Sequence, residues 1–278
     1  MRRVISVAFV LSFAIAFCRY GETSKHSQGA SGNSSDYETI AEIPVPAGFA
    51  RVPVANSSFA EWLRRVKLKK DSRVYLYNGR LKENQSAQFA VLDIVLAKGN
   101  LQQCADAIMR LRTEYFFSRN EIDSIHFKAT DGTRLSFANW LKGERYSARG
   151  NGLSASRTVP SSEDKRVQME RFLEAVFIYC GTLSLQKETR SVKLENMEIG
   201  DVFVKGGSPG HAMIVVDVAI NQSGQKIFML AQSYMPAQDV HIVKNPVKQK
   251  LSPWFMVGRS STIVTPEWTF DRNQLRRW

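Results

Sequence analysis

Two side chains, far apart along the chain, carry the groups that thiol chemistry needs. Cys104 lies in a stretch whose spacing predicts the first turn of a helix, where amide donors and the helix dipole stabilise a thiolate. His211 follows a glycine-rich turn at residues 206–210 and begins an apolar strand, so its imidazole is placed to face a cleft. The sequence therefore predicts a nucleophile at Cys104 and a base at His211, although a buried free cysteine is commonly a small core residue.

A third residue follows from the register of a predicted hairpin. The strand that begins at His211 and the strand that ends near Gln232 flank a turn at residues 221–224. Pairing these strands across the turn opposes Gln232 to Met213 and places Gln232, with Ser233 next to it, beside His211. A polar side chain there can hold one imidazole nitrogen and aim the other at a thiolate, so Gln232 is the predicted orienting residue.

Three further residues bear on these roles. Asp201, at the start of a predicted strand, is a competing candidate to orient the imidazole. Gln103 is a candidate amide donor beside the nucleophile. Cys180 is predicted at a helix C-terminus, where the helix dipole disfavours a thiolate, so we interpret it as a core residue. A disulfide between Cys104 and Cys180 would remove the nucleophile.

Hydrophobic spacing predicts the elements that position these residues. The pattern Ser58-x-x-Glu61 is typical of a helix start, and two longer helices are predicted at residues 100–117, capped by Asn100, and 163–180. Residues 143–163 are predicted to form a long mobile surface loop. Short strands follow at residues 201–204, 211–218, 227–232 and 240–243. Helices followed by strands indicate an α+β fold whose antiparallel sheet is formed mainly by the C-terminal half.

The N-terminus predicts export. Arg2 and Arg3 precede an uncharged apolar run at residues 4–16, and the small residues near its end suit cleavage after Ala16. A lipid anchor on Cys18 is the less favoured alternative. We expect a signal peptide at residues 1–16, a Ser- and Gly-rich disordered tether at residues 17–39 and a single domain at residues 40–278.

Composition limits the class of partner. The chain has 278 residues, of which 44% are hydrophobic and 23% charged, which is typical of a globular domain. Loss of Arg2 and Arg3 lowers the formal charge from +12 to +10, which is either an ordinary solvated surface or an attraction to anionic envelope polymers, such as peptidoglycan, or to a membrane surface. No nucleic-acid motif, no metal-ligand set and no cofactor motif is recognised, and no transmembrane span is expected in the mature chain.

Two resemblances extend this interpretation. The stretches that begin at Gly200-Asp201 and Gly210-His211, followed by a strand ending in a polar residue, resemble the papain-like cell-wall cysteine hydrolases of the NlpC and CHAP type. That resemblance implies a papain-like fold and the site order Cys104, His211, Gln232. Nearly the whole mature chain also resembles a bacterial family of exported proteins of unknown function, which implies no activity.

Two functions are therefore carried forward. The first is an exported thiol hydrolase that cleaves amide bonds of peptidoglycan or of a peptide. The second is a non-catalytic envelope-binding protein, for which exposed aromatic residues would form the binding surface. The aromatic candidates for that role are Tyr234, Trp140, Trp254 and Trp268.

Overall fold

The computed structural model describes residues 36–278. The predicted signal peptide at residues 1–16, and all of the predicted tether except residues 36–39, lie outside the described residues. Folded contacts begin slightly before residue 40, because Tyr37 stacks on Phe89 with ring centroids 6.3 Å apart, and Thr39 forms a β-bridge with Lys67.

Five α-helices are present in the described part of the chain. Ser58 caps the first helix, because its hydroxyl accepts the backbone N–H of Glu61 at 3.2 Å, as the sequence pattern predicted. The helices are α1 (Phe59–Arg64), α2 (Cys104–Ser118), α3 (Phe137–Leu141), α4 (Lys165–Tyr179) and α5 (Thr182–Glu188).

The same residues contain fifteen strands, most of them short. They are β1 (Phe49–Arg51), β2 (Gln88–Val91), β3 (His126–Lys128), β4 (Arg134–Ser136), β5 (Glu144–Arg149), β6 (Gly152–Arg157), β7 (Arg190–Ser191), β8 (Val202–Lys205), β9 (His211–Asn221), β10 (Lys226–Gln232), β11 (His241–Val243), β12 (Phe255–Met256), β13 (Thr262–Val264), β14 (Thr269–Asp271) and β15 (Leu275–Arg277).

A nine-stranded antiparallel sheet organises the fold. Its main path runs β2-β11-β10-β9-β8-β15-β7, and β1 and β12 extend it by pairing with β9 and β10. Most of these strands come from the C-terminal half, so the fold class is α+β, as predicted. Three two-stranded ribbons, β3-β4, β5-β6 and β13-β14, lie outside this sheet.

Strand β9 lies at the centre and is buried on both faces. Its alternate residues Ala212, Ile214 and Val216 join the core beneath the helices, whereas Met213 and Val215 join a second core on the other face. This double burial explains why β9 reads as a continuous apolar run rather than an alternating one. It also fixes the start of the strand, and therefore His211, against packed neighbours on both sides.

A β-bulge sets the register beside the site. Near the turn, Ile220 pairs with Lys226, one residue later than the hairpin reasoning predicted. A register shift between Met229 and Leu230 removes this difference, so that Ile214 pairs with Ala231. The strands therefore reach His211 in the predicted register, and Gln232 lies where the sequence placed it.

Two local predictions were wrong. Residues 144–157 form the ribbon β5-β6 instead of a mobile loop, because six consecutive residue pairs close it as a regular hairpin. Asn100 does not cap α2, which begins four residues later. Its side-chain oxygen instead accepts the backbone N–H of Ala237 at 2.7 Å, in the loop after β10. None of the helices within residues 36–278 is long and apolar enough to cross a membrane.

Candidate active site

Cys104 and His211 line the same cleft, which has a volume of about 480 Å³. Its walls are formed by the start of α2, the junction between α4 and α5 and the glycine-rich turn before β9. Two aromatic residues, one from the loop after β10 and one from the turn between β13 and β14, complete the lining. The lining residues that concern the chemistry are Cys104, Asp106, Cys180, His211, Tyr234 and Trp268. The structure thus brings together two of the residues that the sequence selected for chemistry.

The N-terminal end of α2 holds Cys104 in place. Gln103 has an extended backbone conformation, and its N–H donates to Asp106 Oδ2 at 2.9 Å, so the helix begins at Cys104 itself. This is the N-terminal position at which the first amides lack partners within the helix. The backbone N–H groups of Cys104 and Ala105 both lower the pKa of the thiol, which shows that they face the sulfur.

The sheet anchors the segment that leads into α2. Ser233 Oγ lies 3.0 Å from the carbonyl oxygen of Gln102 and 2.8 Å from that of Gln238. Ser233 therefore ties the loop before Cys104 to the end of β10 and does not orient the imidazole. From the other side, the N–H of Ala212 lowers the thiol pKa, so strand β9 reaches the sulfur directly.

Burial nevertheless dominates the thiol. Cys104 is only 8% exposed, and burial, followed by the nearby Asp106 carboxylate, raises the pKa of its thiol to about 11. The prediction of a lowered thiol pKa is therefore wrong, because desolvation outweighs the amide donors. Cys104 is a neutral thiol at neutral pH.

His211 is held by the residue that the hairpin register selected. Its Nε2 lies 2.8 Å from Gln232 Oε1, and both side chains are almost fully buried. No residue in the range 36–278 bonds its Nδ1, and this nitrogen is not among the buried polar atoms without partners. Since His211 lines the cleft, Nδ1 is the nitrogen that remains for chemistry there.

Aromatic rings surround the imidazole. Tyr234 lies 4.8 Å, Trp268 5.2 Å and Phe270 5.8 Å from it between ring centroids. Burial among these rings lowers the pKa of His211 to about 4, against a smaller opposing effect of the hydrogen bond to Gln232. The imidazole is therefore neutral at physiological pH and can accept a proton.

Cys104 and His211 are neighbours without a direct hydrogen bond. None joins the sulfur to the imidazole among the described side-chain contacts, although the N–H of the residue after His211 reaches that sulfur. A neutral thiol and a neutral imidazole thus flank one cleft. That arrangement is not a preformed thiolate–imidazolium pair, and proton transfer between the two groups requires them to approach to hydrogen-bonding distance.

Asp201 is engaged elsewhere, whereas Cys180 lies in the wall of the same cleft. Asp201 pairs with Arg277, with Oδ1 2.5 Å from Nε, and its backbone bonds that of Val215, four residues beyond His211. Four residues span about 13 Å of strand, so Asp201 does not orient the imidazole. Cys180 is buried at the C-terminal cap of α4, where burial raises the pKa of its thiol further. Both cysteines are free thiols.

Sequence reasoning missed a polar cluster behind Gln232. Strand pairing places His241 opposite Gln232, and Gln232 Nε2 lies 3.2 Å from His241 Nε2. The same nitrogen donates to Glu267 Oε2 at 2.8 Å, and Lys82 Nζ lies 2.7 Å from that oxygen. The segment around His241 alternates between polar and apolar residues, as many half-buried strands do, and does not by itself indicate a polar cluster. Because Lys82 and Glu267 come from loops, the pairing of this strand with β10 was the one sequence signal that could have revealed the cluster.

The remaining candidates divide between core and cleft. Trp140 and Trp254 are buried in the core, whereas Tyr234 and Trp268 line the cleft against His211. Within residues 36–278 no group of three His, Cys, Asp or Glu side chains could hold a metal ion.

Comparison with known proteins gives a family without a function. No curated protein and no solved structure matches the chain. One family model, described as Domain of unknown function (4846), matches residues 40–277, which is almost all of the described structure. The chain therefore belongs to the family of that domain of unknown function.

Proposed function

We propose that the protein is an exported, papain-like thiol hydrolase that cleaves amide bonds of peptidoglycan or of a peptide. One observation carries the proposal: Cys104 at a helix start and His211 face one cleft, and Gln232 Oε1 holds the far imidazole nitrogen at 2.8 Å. Nucleophile, base and orienting residue are the three parts of a thiol-hydrolase site.

The geometry supports the following sequence of steps. As Cys104 Sγ forms a bond to the acyl carbon, its proton passes to His211 Nδ1, so the thiolate never exists alone in the buried site. The backbone N–H groups of Cys104 and Ala105 face the sulfur and can donate to the oxyanion. The imidazolium then protonates the leaving amine, and a water molecule, deprotonated by His211, hydrolyses the thioester and restores the thiol.

The residues that line the cleft restrict the charge of the acyl group that can bind there. Among residues 36–278, no lysine or arginine lines it, and Asp106 is its one acidic residue, whose pKa burial raises to about 8. An acidic acyl group would therefore meet no cation in the described lining and would carry the desolvation cost of a buried ion, while the nearby Lys205 Nζ lies 5.9 Å from the Trp268 ring. The proposed acyl group is uncharged or carries an amine, and the basic charge of the chain acts outside the cleft.

A non-catalytic binding protein is the alternative. The observation that favours it is the protonation of the pair, because burial raises the thiol pKa to about 11 and lowers the imidazole pKa to about 4, so that neither group is charged at physiological pH. In that case Tyr234 and Trp268 would contact the ligand, and Cys104 would only fill space.

Detection of cleavage products distinguishes a hydrolase from a non-catalytic binding protein. Full-length protein is incubated with purified peptidoglycan and, separately, with a mixture of defined peptides, and new termini are identified by mass spectrometry. We expect cleavage by the wild type and by Cys180→Ala, the matched control in the same cleft wall, and none by Cys104→Ala. Binding without cleavage in all three proteins would establish the alternative.

A further inference from the structure

Three adjacent strands each place one polar side chain at the same end of the sheet. His211 begins β9, Gln232 ends β10 and His241 begins β11, and all three are at most 2% exposed. Buried polar groups in such a row must satisfy one another, so each donor and acceptor can be assigned in turn.

The assignment starts at a backbone carbonyl. His241 Nδ1 lies 2.9 Å from the carbonyl oxygen of Asp239, which can only accept, so Nδ1 carries the proton. Complete burial lowers the pKa of His241 to about 3, so the ring is neutral and its Nε2 is bare. That bare nitrogen accepts one amide hydrogen of Gln232, and Glu267 Oε2, a carboxylate oxygen, accepts the other.

Both acceptors therefore fix the amide of Gln232 in one orientation. Its nitrogen must face His241 and Glu267, which leaves Oε1 facing His211 Nε2. A carbonyl oxygen only accepts, so the proton of the neutral His211 ring lies on Nε2, and Nδ1 is bare on the cleft side. If the amide were reversed, its N–H would demand a bare Nε2 and place the proton on Nδ1, where it would block proton transfer from the thiol.

We infer that His241 and Glu267 are positioning residues that, through Gln232, hold His211 in the tautomer whose bare Nδ1 faces the cleft. Lys82 supports this role because its Nζ lies 2.7 Å from Glu267 Oε2 and keeps the carboxylate in place. The Lys82 and Glu267 charges balance, so the pair acts through geometry rather than through a net charge. The consequence for catalysis rests on the proposed function, whereas the tautomer itself does not.

The test is nitrogen NMR of the full chain labelled with ¹⁵N-histidine, because the protonated and bare nitrogens of a neutral imidazole resonate far apart. Two variants remove an acceptor: His241→Leu, and the double variant Lys82→Met with Glu267→Met, which leaves no unpaired buried charge. Two matched variants keep an acceptor oxygen: His241→Gln, and Glu267→Gln combined with Lys82→Met so that no buried charge is left unpaired. His126→Gln, on β3 outside the cluster, is the control.

In the wild type, in both matched variants and in the control, we expect one His211 tautomer with Nε2 protonated. In the two acceptor-removing variants we expect the Nδ1-protonated form to appear. Where the wild type hydrolyses a substrate, kcat should fall about twofold in these variants at unchanged KM, because loss of the acceptor leaves the two orientations of the Gln232 amide, and hence the two His211 tautomers, about equally populated. The double variant removes both charges of the ion pair together and keeps the test valid if His241→Leu does not fold.

A His211 ring that keeps Nε2 protonated in every folded variant would overturn the inference, whatever the activity. The opposite result, a tautomer that responds as expected in a protein that cleaves nothing, would leave the positioning role standing and remove the proposed hydrolase. The two failures are therefore distinguishable in one set of samples.

Discussion

At Cys104 two effects on the thiol pKa oppose each other. The helix start and three backbone N–H groups favour the thiolate, while burial to 8% exposure favours the thiol. Burial is the larger effect and raises the pKa to about 11. The sequence revealed the helix but not the depth of the site, because depth depends on β9 and on the loops that close over α2.

Alkylation by iodoacetamide measures this balance. With a pKa near 11, about one thiol in a thousand is ionised at pH 8, against about a quarter of unperturbed thiols. We expect Cys104 in the folded protein to label about two-hundredfold more slowly than in denaturant, with a rate that keeps rising beyond pH 9. Peptide mapping separates it from Cys180. A labelling rate that levels off below pH 8 would show a preformed thiolate instead.

Asp106 gives a second prediction at this scale. Burial raises its pKa from 3.8 to about 8, so between those pH values the folded state keeps a proton that the unfolded state has lost. Stability due to this group therefore falls as pH rises from about 4 to 8. Asp106→Asn keeps an oxygen that can accept the Gln103 N–H and cannot ionise.

We expect Asp106→Asn to gain stability over the wild type as pH rises, by on the order of 3–5 kcal/mol at pH 8, with little difference at pH 4. Urea unfolding at a series of pH values measures the difference. A constant offset between the two proteins across this range is incompatible with a buried carboxyl that titrates near pH 8.

Among the elements, the turn before β9 is the most tightly constrained part of the cleft. A Cβ on Gly210 would lie 2.3 Å from the carbonyl oxygen of Gly207 and 2.6 Å from Thr182 Oγ1. Only glycine allows this approach, which holds the residue before His211 against the start of α5. Gly181, in the same cleft, has no atom within 4 Å of a built Cβ and has an extended backbone.

Gly210→Ala should therefore destabilise the fold by about 1–3 kcal/mol and displace His211, whereas Gly181→Ala should cost only the smaller loss of a glycine N-cap on α5 and leave His211 in place. Thermal unfolding and the His211 NMR signals measure the two effects. Equal melting temperatures for both variants would mean that the turn accepts a side chain at residue 210 without loss of stability and does not position the imidazole.

Contacts between residues that are close in sequence could be predicted, whereas contacts between residues that are far apart in sequence could not. The pairing of His211 with Gln232 was predictable because one short turn joins β9 and β10, and the bulge near Met229 restored the register. The cluster behind Gln232 was not, because Glu267 reaches it from a turn whose placement no local pattern determines. The α+β class was predictable because the apolar strands follow the long helices in sequence.

At the scale of the whole molecule, the net charge of the chain and the lining of the cleft favour different chemical features of a ligand. The formal charge of +12 favours anionic polymers, while no lysine or arginine among the described residues lines the cleft. We therefore expect full-length protein to sediment with purified peptidoglycan at low ionic strength and to be released at 0.5 M salt, estimated from a Debye length of about 10 Å at 0.1 M.

Cys104→Ala should sediment like the wild type, because the attraction acts outside the cleft. Binding that resists salt but disappears on mutation of Tyr234 or Trp268 would contradict this division and locate the main contact inside the cleft.

The central claim is that Cys104 attacks and His211 accepts its proton, and trapping of the acyl-enzyme tests it most directly. The protein is mixed with an activated ester of an uncharged acyl group, quenched in acid and examined by intact mass and peptide mapping. The account predicts one acyl group on Cys104, formed equally by Cys180→Ala and about 10²–10⁴-fold more slowly by His211→Ala. Acylation of Cys180 instead, or a rate unaffected by His211→Ala, would contradict it.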